Sequence, residues 1–380
     1  MNETISRQLL SLLRCAIWNE KPEPGLFGKD TEWDKIAALA YKQSVLGVMA
    51  EGIKGVDKEL QPSGDFMMRI YGYTVKTNNY HHLLNSVIEE LCGKLKDEGI
   101  HCVLLKGQGL AANYPNPLSR SCGDIDLYVG SSNYKKACDL TKEWGMQKED
   151  AEESYQHLHF KYRGVDVEIH RITGVIYNPL YNFRFRRWSD MLLKSYTGRE
   201  ITFGTQSVCL PPVRFDSLYI FYHLYRHLIT GGVGLRQLTD CALYLHKFRN
   251  EIDKEVLLND LRSFGLLRSW QIYGSIAVRY IGLPENEFPL YRESDDIISS
   301  ADFIFNEIVL SYGNFGFFDP NRKKRPDGFL TGKLYSLKVK MAFISKFRKA
   351  FGNQILFFVP FYLWRGVNNV ITHKDNFRKK

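Results

Sequence analysis

The stretch Gly123-Asp124-Ile125-Asp126-Leu127-Tyr128-Val129 sets two carboxylates two residues apart among apolar neighbours, on a segment with strand character. Side chains at i and i+2 leave a strand on the same face, so Asp124 and Asp126 point together. Like charges side by side are destabilising unless a cation lies between them. Hard oxygen ligands at this spacing suit Mg²⁺ or Mn²⁺.

The flanks extend the pattern. His101 to Gly107 reads as an apolar strand ending in Lys106-Gly107. Glycine lets backbone approach a phosphate, a helix start favours anions, and Lys106 adds a point charge. Downstream, Val165-Asp166-Val167-Glu168-Ile169-His170 is an alternating strand with Asp166, Glu168 and His170 on one face. Each of the three qualifies as a third ligand, with Glu168 central. His170 has three open roles: binding phosphate, orienting a carboxylate or acting as a base. Arg120, just ahead of the acidic pair, has two: reaching triphosphate oxygens or pairing with the acids themselves. A Lys-Gly turn, Asp-x-Asp and a third acid on a later strand form the plan of a metal-dependent phosphoryl-transfer site.

His223, Arg226 and His227 share a helix face. Without the glutamate of a HExxH pattern they make a weak metal site. Contact with nucleotide or the catalytic sheet fits better, and interdomain packing best. Arg236 and Asp240, at i and i+4, suit a simple ion pair.

These residues need elements to hold them. Helical spacing covers Ser6 to Trp18, then a segment capped by Asp30 or Thr31 and running to about Gly52, then Asp65 to Glu98 with Gly99 as its stop. The block from about 100 to 210 alternates. Strand 101–106 leads to a helix from Gly107 to about Asn113. Strand 124–129 leads to a helix from about Asn133 to Trp144. Strands 155–163 and 165–170 form a hairpin at Gly164. Shorter strand signals fall near 182–188, 199–203 and 206–210. From Pro211 the pattern is helical: 213–229, 236–248, 254–263, 267–281, 294–311 and 333–350. The expected fold is α+β with an α/β-like core: a mixed-sheet domain (100–210) flanked by N-terminal helices (1–99), a helical domain (211–312), and a basic loop with amphipathic helices (313–380).

Composition narrows the partners. The 380 residues carry 51 Lys+Arg against 42 Asp+Glu, a balance that favours anionic partners. The excess gathers in Arg322-Lys323-Lys324-Arg325 and between Lys333 and Lys349, where basic and apolar residues interleave. This region suits an anionic membrane surface or nucleic acid, or a solvated face packed on the body. Seven scattered cysteines without a CxxC pair argue against a disulfide framework or a zinc site. The charged N-terminal run does not read as a signal peptide, and the longest apolar run, Ile355 to Trp364, is too short to span a bilayer. A cytoplasmic protein is the default reading.

Lys106-Gly107, Tyr114-Pro115, Arg120, Gly123 to Leu127 and Val165 to His170 together resemble the uncharacterised nucleotidyltransferase family, within the DNA-polymerase-beta-like nucleotidyltransferase superfamily. His223 to His227 and Leu235 to Asp240 look like that family's downstream helices, so the resemblance covers about residues 5 to 300. It implies two divalent metals (Mg²⁺ or Mn²⁺) held by Asp124, Asp126 and Glu168, and an NTP held by Lys106, Gly107, Arg120 and His170. It implies NMP transfer to a hydroxyl acceptor, small molecule, RNA or protein, with pyrophosphate release. The superfamily's Gly-Ser turn is here Lys106-Gly107, so a serine hydroxyl on the phosphate is missing. Two alternatives stand beside this reading: a toxin-like transferase acting on tRNA or protein, and a non-catalytic nucleotide-binding or membrane-surface accessory protein.

Overall fold

The computed structural model describes residues 3–145, 152–313 and 328–351, with the single residues 326, 357 and 360. In chain order the elements are α1 (Glu3–Trp18), α2 (Trp33–Lys42), α3 (Leu46–Ile53), α4 (Gly64–Asp97), β1 (Val103–Leu105), α5 (Gly107–Ala111), β2 (Ile125–Tyr128) and α6 (Gly130–Glu143). Then come β3 (Glu152–Glu153), β4 (His157–Tyr162), β5 (Val165–His170), α7 (Pro179–Leu193), β6 (Arg199–Phe203) and β7 (Gln206–Leu210). The remainder is helical: α8 (Val213–Thr230), α9 (Leu235–Phe248), α10 (Lys254–Ser263), α11 (Leu267–Ile276), α12 (Asp295–Ile304), α13 (Leu310–Tyr312) and α14 (Phe329–Phe351).

The seven strands form one mixed sheet in the order β3-β4-β5-β2-β1-β7-β6, so the fold is α+β as expected. Its centre is the triplet β1, β2 and β5. β1 runs antiparallel to β2 with Leu105 opposite Asp126, and β2 runs parallel to β5 with Asp126 opposite Glu168. Strand alternation sorts the faces. Leu104, Ile125, Leu127, Val167 and Ile169 point to one core, shared with Leu84, Ile88 and Leu91 of α4 and Ala137 of α6. Val103, Leu105 and Tyr128 point to the other, built with α1–α3 and α8–α12. Asp126, Glu168 and His170 share that second face, so the acids look toward α8. Each fully buried residue such as Leu127 contributes about 1.5–3 kcal/mol, which fixes the register.

The long helix is capped by Ser63, whose hydroxyl accepts from the Phe66 N–H, and ends at Gly99 with φ +68°. The β4–β5 hairpin turns through Arg163 and Gly164, both at positive φ, the geometry of a tight hairpin turn.

Two expectations are corrected. The strand near 182–188 is helix α7. Alternation in Phe183-Arg184-Phe185-Arg186 mimics a strand, but Asn178 accepts hydrogen bonds from the Leu180 and Tyr181 N–H groups, and Pro179 starts the first turn. Burial of Phe185, Trp188 and Leu193 at helical spacing decides it. The second helix is broken in two at Gln43–Val45, where Ser44 takes φ +56°. The Gln43 side chain is fully buried there. Its Oε1 accepts from the Leu235 N–H at 3.0 Å and its Nε2 donates to the Val309 carbonyl at 2.8 Å.

Arg322 to Arg325 lie outside the described residues, as does most of Ile355 to Trp364. The last helix seats Phe347, Ala350 and Phe351 in the body, where Phe351 meets the Tyr225 ring edge-on and Arg268 donates to the Ala350 carbonyl at 2.7 Å. No described helix is long and apolar enough to cross a membrane.

Candidate active site

β1 ends on a sharp turn. Lys106 has φ +52° and ψ −133°, a region that residues with a Cβ seldom occupy, and Gly107 follows at φ +44°. The positive φ, not crowding, favours glycine at 107: a Cβ there would stand 3.4 Å from the Asp124 carbonyl oxygen, an ordinary contact. The turn carries Lys106 back over the sheet, its Nζ 3.0 Å from Asp126 Oδ2 and 3.1 Å from His223 Nε2.

Asp124 sits just ahead of β2, exposed to the cleft, while Asp126 within the strand is 2% exposed. The loop before them is clamped from three sides. His81 Nε2 donates to the Arg120 carbonyl at 2.8 Å, Arg236 to the Ser121 carbonyl at 2.9 Å and the Tyr80 hydroxyl to the Gly123 carbonyl at 2.8 Å. From β5, His170 Nε2 donates to Asp126 Oδ1 at 2.7 Å and to Glu168 Oε2 at 3.0 Å. One histidine thus sets the rotamers of two carboxylates.

The charges are strongly interdependent. Burial opposes the charge on Asp126, but Lys106 and His170 outweigh it and hold the carboxyl well below its usual range. The same balance holds Lys106 above its ordinary value and lifts His170 to about 9, against burial in both cases. Glu168 is lowered because its bond to His170 overcomes burial. Asp124 moves the opposite way: the neighbouring Asp126 charge, then burial, push it up despite Lys106. Three carboxylates face one lysine and one imidazolium, so the cluster retains negative charge.

Helix α8 closes the cleft with His223, Arg226 and His227. Burial and then Lys106 depress both histidines, His227 down to about 3, so both stay neutral. Arg226 donates to Gln156 Oε1 at 3.1 Å. The cleft has a volume of about 210 Å³ and takes in Lys106, Asp124, Asp126, Glu168, Arg226 and Arg236.

The structure brings together Lys106, Gly107, Asp124, Asp126, Glu168 and His170 around this cleft. His170 lines the cleft with its Nε2 against Asp126 and Glu168, as the carboxylate-orienting role requires, and Asp166 is turned to His159, 3.2 Å away near the hairpin. Arg120 corrects one of its expected roles: it pairs with neither Asp124 nor Asp126. It lines the cleft, yet its Nε and Nη2 donate to Asp240 Oδ1 and Oδ2 at 2.7 and 2.8 Å, with both residues 5% exposed. The reason is burial: a guanidinium removed from water needs a carboxylate matched to its fork. Asp240, expected to pair with Arg236, is that carboxylate. Gln156, His157, Thr173 and Tyr219 also line the cleft and were not anticipated. For His157 a signal existed, because the hairpin register puts it opposite His170.

The donor set fits a hard divalent cation. Ligand oxygens of Asp124, Asp126 and Glu168 lie within 4.8 Å of one another, and the like-charge push on Asp124 is the tension a cation relieves. His157, Glu168 and His170 are equally close, but His170 Nε2 is already engaged by Asp126 and Glu168, and the all-oxygen set suits the harder cation better.

A family model described as uncharacterised nucleotidyltransferase matches residues 29–282, well over half of the chain. The chain belongs to this family. All the cleft residues named above fall inside the matched span of the nucleotidyltransferase model. Among solved structures, an antigenic nucleotidyltransferase-like protein from Paracoccidioides brasiliensis is similar at 14% identity over 49% of this chain and 90% of its own, with a TM-score of 0.31. No curated protein matches the sequence.

Proposed function

We propose that this nucleotidyltransferase-family chain transfers an NMP from an NTP to a hydroxyl acceptor in a metal-dependent reaction. The observation that carries the reading is the convergence of Asp124, Asp126 and Glu168 beside a cleft walled by Lys106, Arg226 and Arg236. The three carboxylates would hold Mg²⁺ or Mn²⁺, which when bound stabilise charge on the attacking and leaving oxygens. Lys106, on a flexible stem over Asp126, is placed to turn its ammonium onto triphosphate oxygens. His170 keeps Asp126 and Glu168 in fixed rotamers. A bond forms between the acceptor oxygen and the α-phosphorus, the bond from the α-phosphorus to the α–β bridging oxygen breaks, the acceptor proton passes to water, and pyrophosphate leaves.

The test is incubation of the full chain with each α-radiolabelled NTP, Mg²⁺ or Mn²⁺ and a cell lysate, followed by separation of labelled RNA, protein and small molecules. Label should pass to one fraction and disappear with Asp126→Asn. Absence of labelling together with absence of metal-dependent nucleotide binding in calorimetry overturns the proposal.

A further inference from the structure

Beside the cleft lies a surface that the chemistry above does not use. Helix α7 presents Leu180, Phe183, Arg184, Arg187 and Met191 outward at helical spacing, with Phe183 59% exposed. Against it stands Tyr155, 57% exposed, its ring gripped by two arginines. The Arg171 guanidinium carbon is 4.9 Å from the ring centroid and that of Arg186 5.7 Å. Arg186 also donates to the Tyr155 hydroxyl at 2.7 Å, and Arg171 to the Tyr155 carbonyl at 2.8 Å. Arg187 lies 5.6 Å from the Phe183 ring centroid.

Two properties point to one kind of occupant. The rings are planar, exposed and held by cations, which suits stacking of bases. The arginines interleave with the rings along a path, which suits a phosphate backbone, whereas insertion into lipid needs a continuous apolar face. Glu153 and Asp190 of the same region accept hydrogen bonds from Tyr134 and Tyr128. The path also leads to the site. Tyr155 is followed by Gln156 and His157 of the cleft, Arg171 follows His170, and the Arg171 N–H donates to the Gln156 carbonyl at 2.9 Å.

We infer that this face binds single-stranded nucleic acid and guides its terminal hydroxyl into the cleft as the acceptor. The inference rests on the proposed transferase reading for the acceptor role, but the binding itself is separable. The experiment measures fluorescence anisotropy of a labelled single-stranded RNA of about 16 nucleotides, with a DNA counterpart, on the full chain across a salt series. Wild type should bind, and Asp126→Asn should bind equally well. Tyr155→Ala and Phe183→Ala should each weaken binding about 5- to 150-fold, the loss of one stacked base. Arg184→Gln with Arg187→Gln should flatten the log–log salt slope by about 1.4. All four side chains are exposed or half-buried; should Tyr155→Ala lower the melting temperature, the other substitutions decide. No binding at low salt, affinities unchanged within about twofold across all variants, or patch-dependent sedimentation with phosphatidylserine vesicles instead of oligonucleotide binding overturns the inference. Absence of both NTP labelling and metal-dependent nucleotide binding, with oligonucleotide binding intact, overturns the transferase reading and leaves the surface standing.

Discussion

Replacing Asp240 by Asn separates a structural Arg120 from a phosphate-binding one. The Asp240 carboxylate takes two hydrogen bonds from the Arg120 guanidinium and one from the Tyr114 hydroxyl at 2.7 Å, and all three side chains are buried. Burial pushes Arg120 toward losing its proton and Asp240 more than reverses this, so the arginine stays charged. An amide in place of the carboxylate leaves that cation without a counter-charge in the interior, at a cost of about 3–5 kcal/mol. At about 2.1 cal/mol/K per residue, 380 residues unfolding together give an entropy near 0.8 kcal/mol/K, so a loss of about 4 kcal/mol lowers the melting temperature by about 5 °C. The paired change Arg120→Met/Asp240→Leu removes both charges at similar volume and should recover most of the loss. Thermal melts and urea titrations of the single and paired variants complete the cycle. The paired variant should also bind nucleotide within a few-fold of wild type. An Asn variant that melts within about 1 °C of wild type, or a stable paired variant that loses nucleotide binding about a hundredfold, refutes the reasoning.

Three further outcomes follow from the geometry. Asp124→Asn should abolish metal-dependent nucleotide binding while raising the melting temperature of the metal-free protein, because it removes the repulsion from Asp126; calorimetry and a thermal melt read the two effects. Lys106→Ala should weaken NTP binding about 10- to 150-fold, the worth of a hydrogen bond to a charged group, with little effect on oligonucleotide affinity. Glu90 is held near pKa 2 by Lys94, then Tyr162 and Arg163. Its stabilising effect is therefore complete above the ordinary glutamate value of 4.5 and fades as pH falls toward about 2. Solvent screening keeps it under about 1 kcal/mol, so urea midpoints of wild type and Glu90→Gln should differ slightly at pH 7 and merge in acid.

The part of the site that could be read from the sequence is the part made by local patterning. Asp124-x-Asp126 and Asp166-x-Glu168-x-His170 declare their faces by period-two alternation, and neighbouring strands then bring them together. Lys106-Gly107 declares a turn by its glycine. Arg120 was illegible because its partner lies 120 residues away, and only burial, a tertiary property, demands one. The helix at 179–193 was misread because Phe183-Arg184-Phe185-Arg186 fits a strand; the deciding signal was the Asn178-Pro179 cap. That distinction matters for chemistry. A strand would set Phe183 and Phe185 on the same face, whereas the helix buries Phe185 and leaves Phe183 outside beside the arginines.

Gln43 gives the N-terminal helices a hand in events far from them. Its amide ties the first residue of α9 to the chain near Val309, and its own carbonyl accepts from the Arg236 N–H at 3.3 Å. The arginine that walls the cleft therefore stands on scaffolding supplied some two hundred residues upstream. On the proposed reading, a fragment trimmed to the strands and their acids would keep every carboxylate yet lose the placement of that arginine, and substitutions at the kink between α2 and α3 should weaken nucleotide binding from afar.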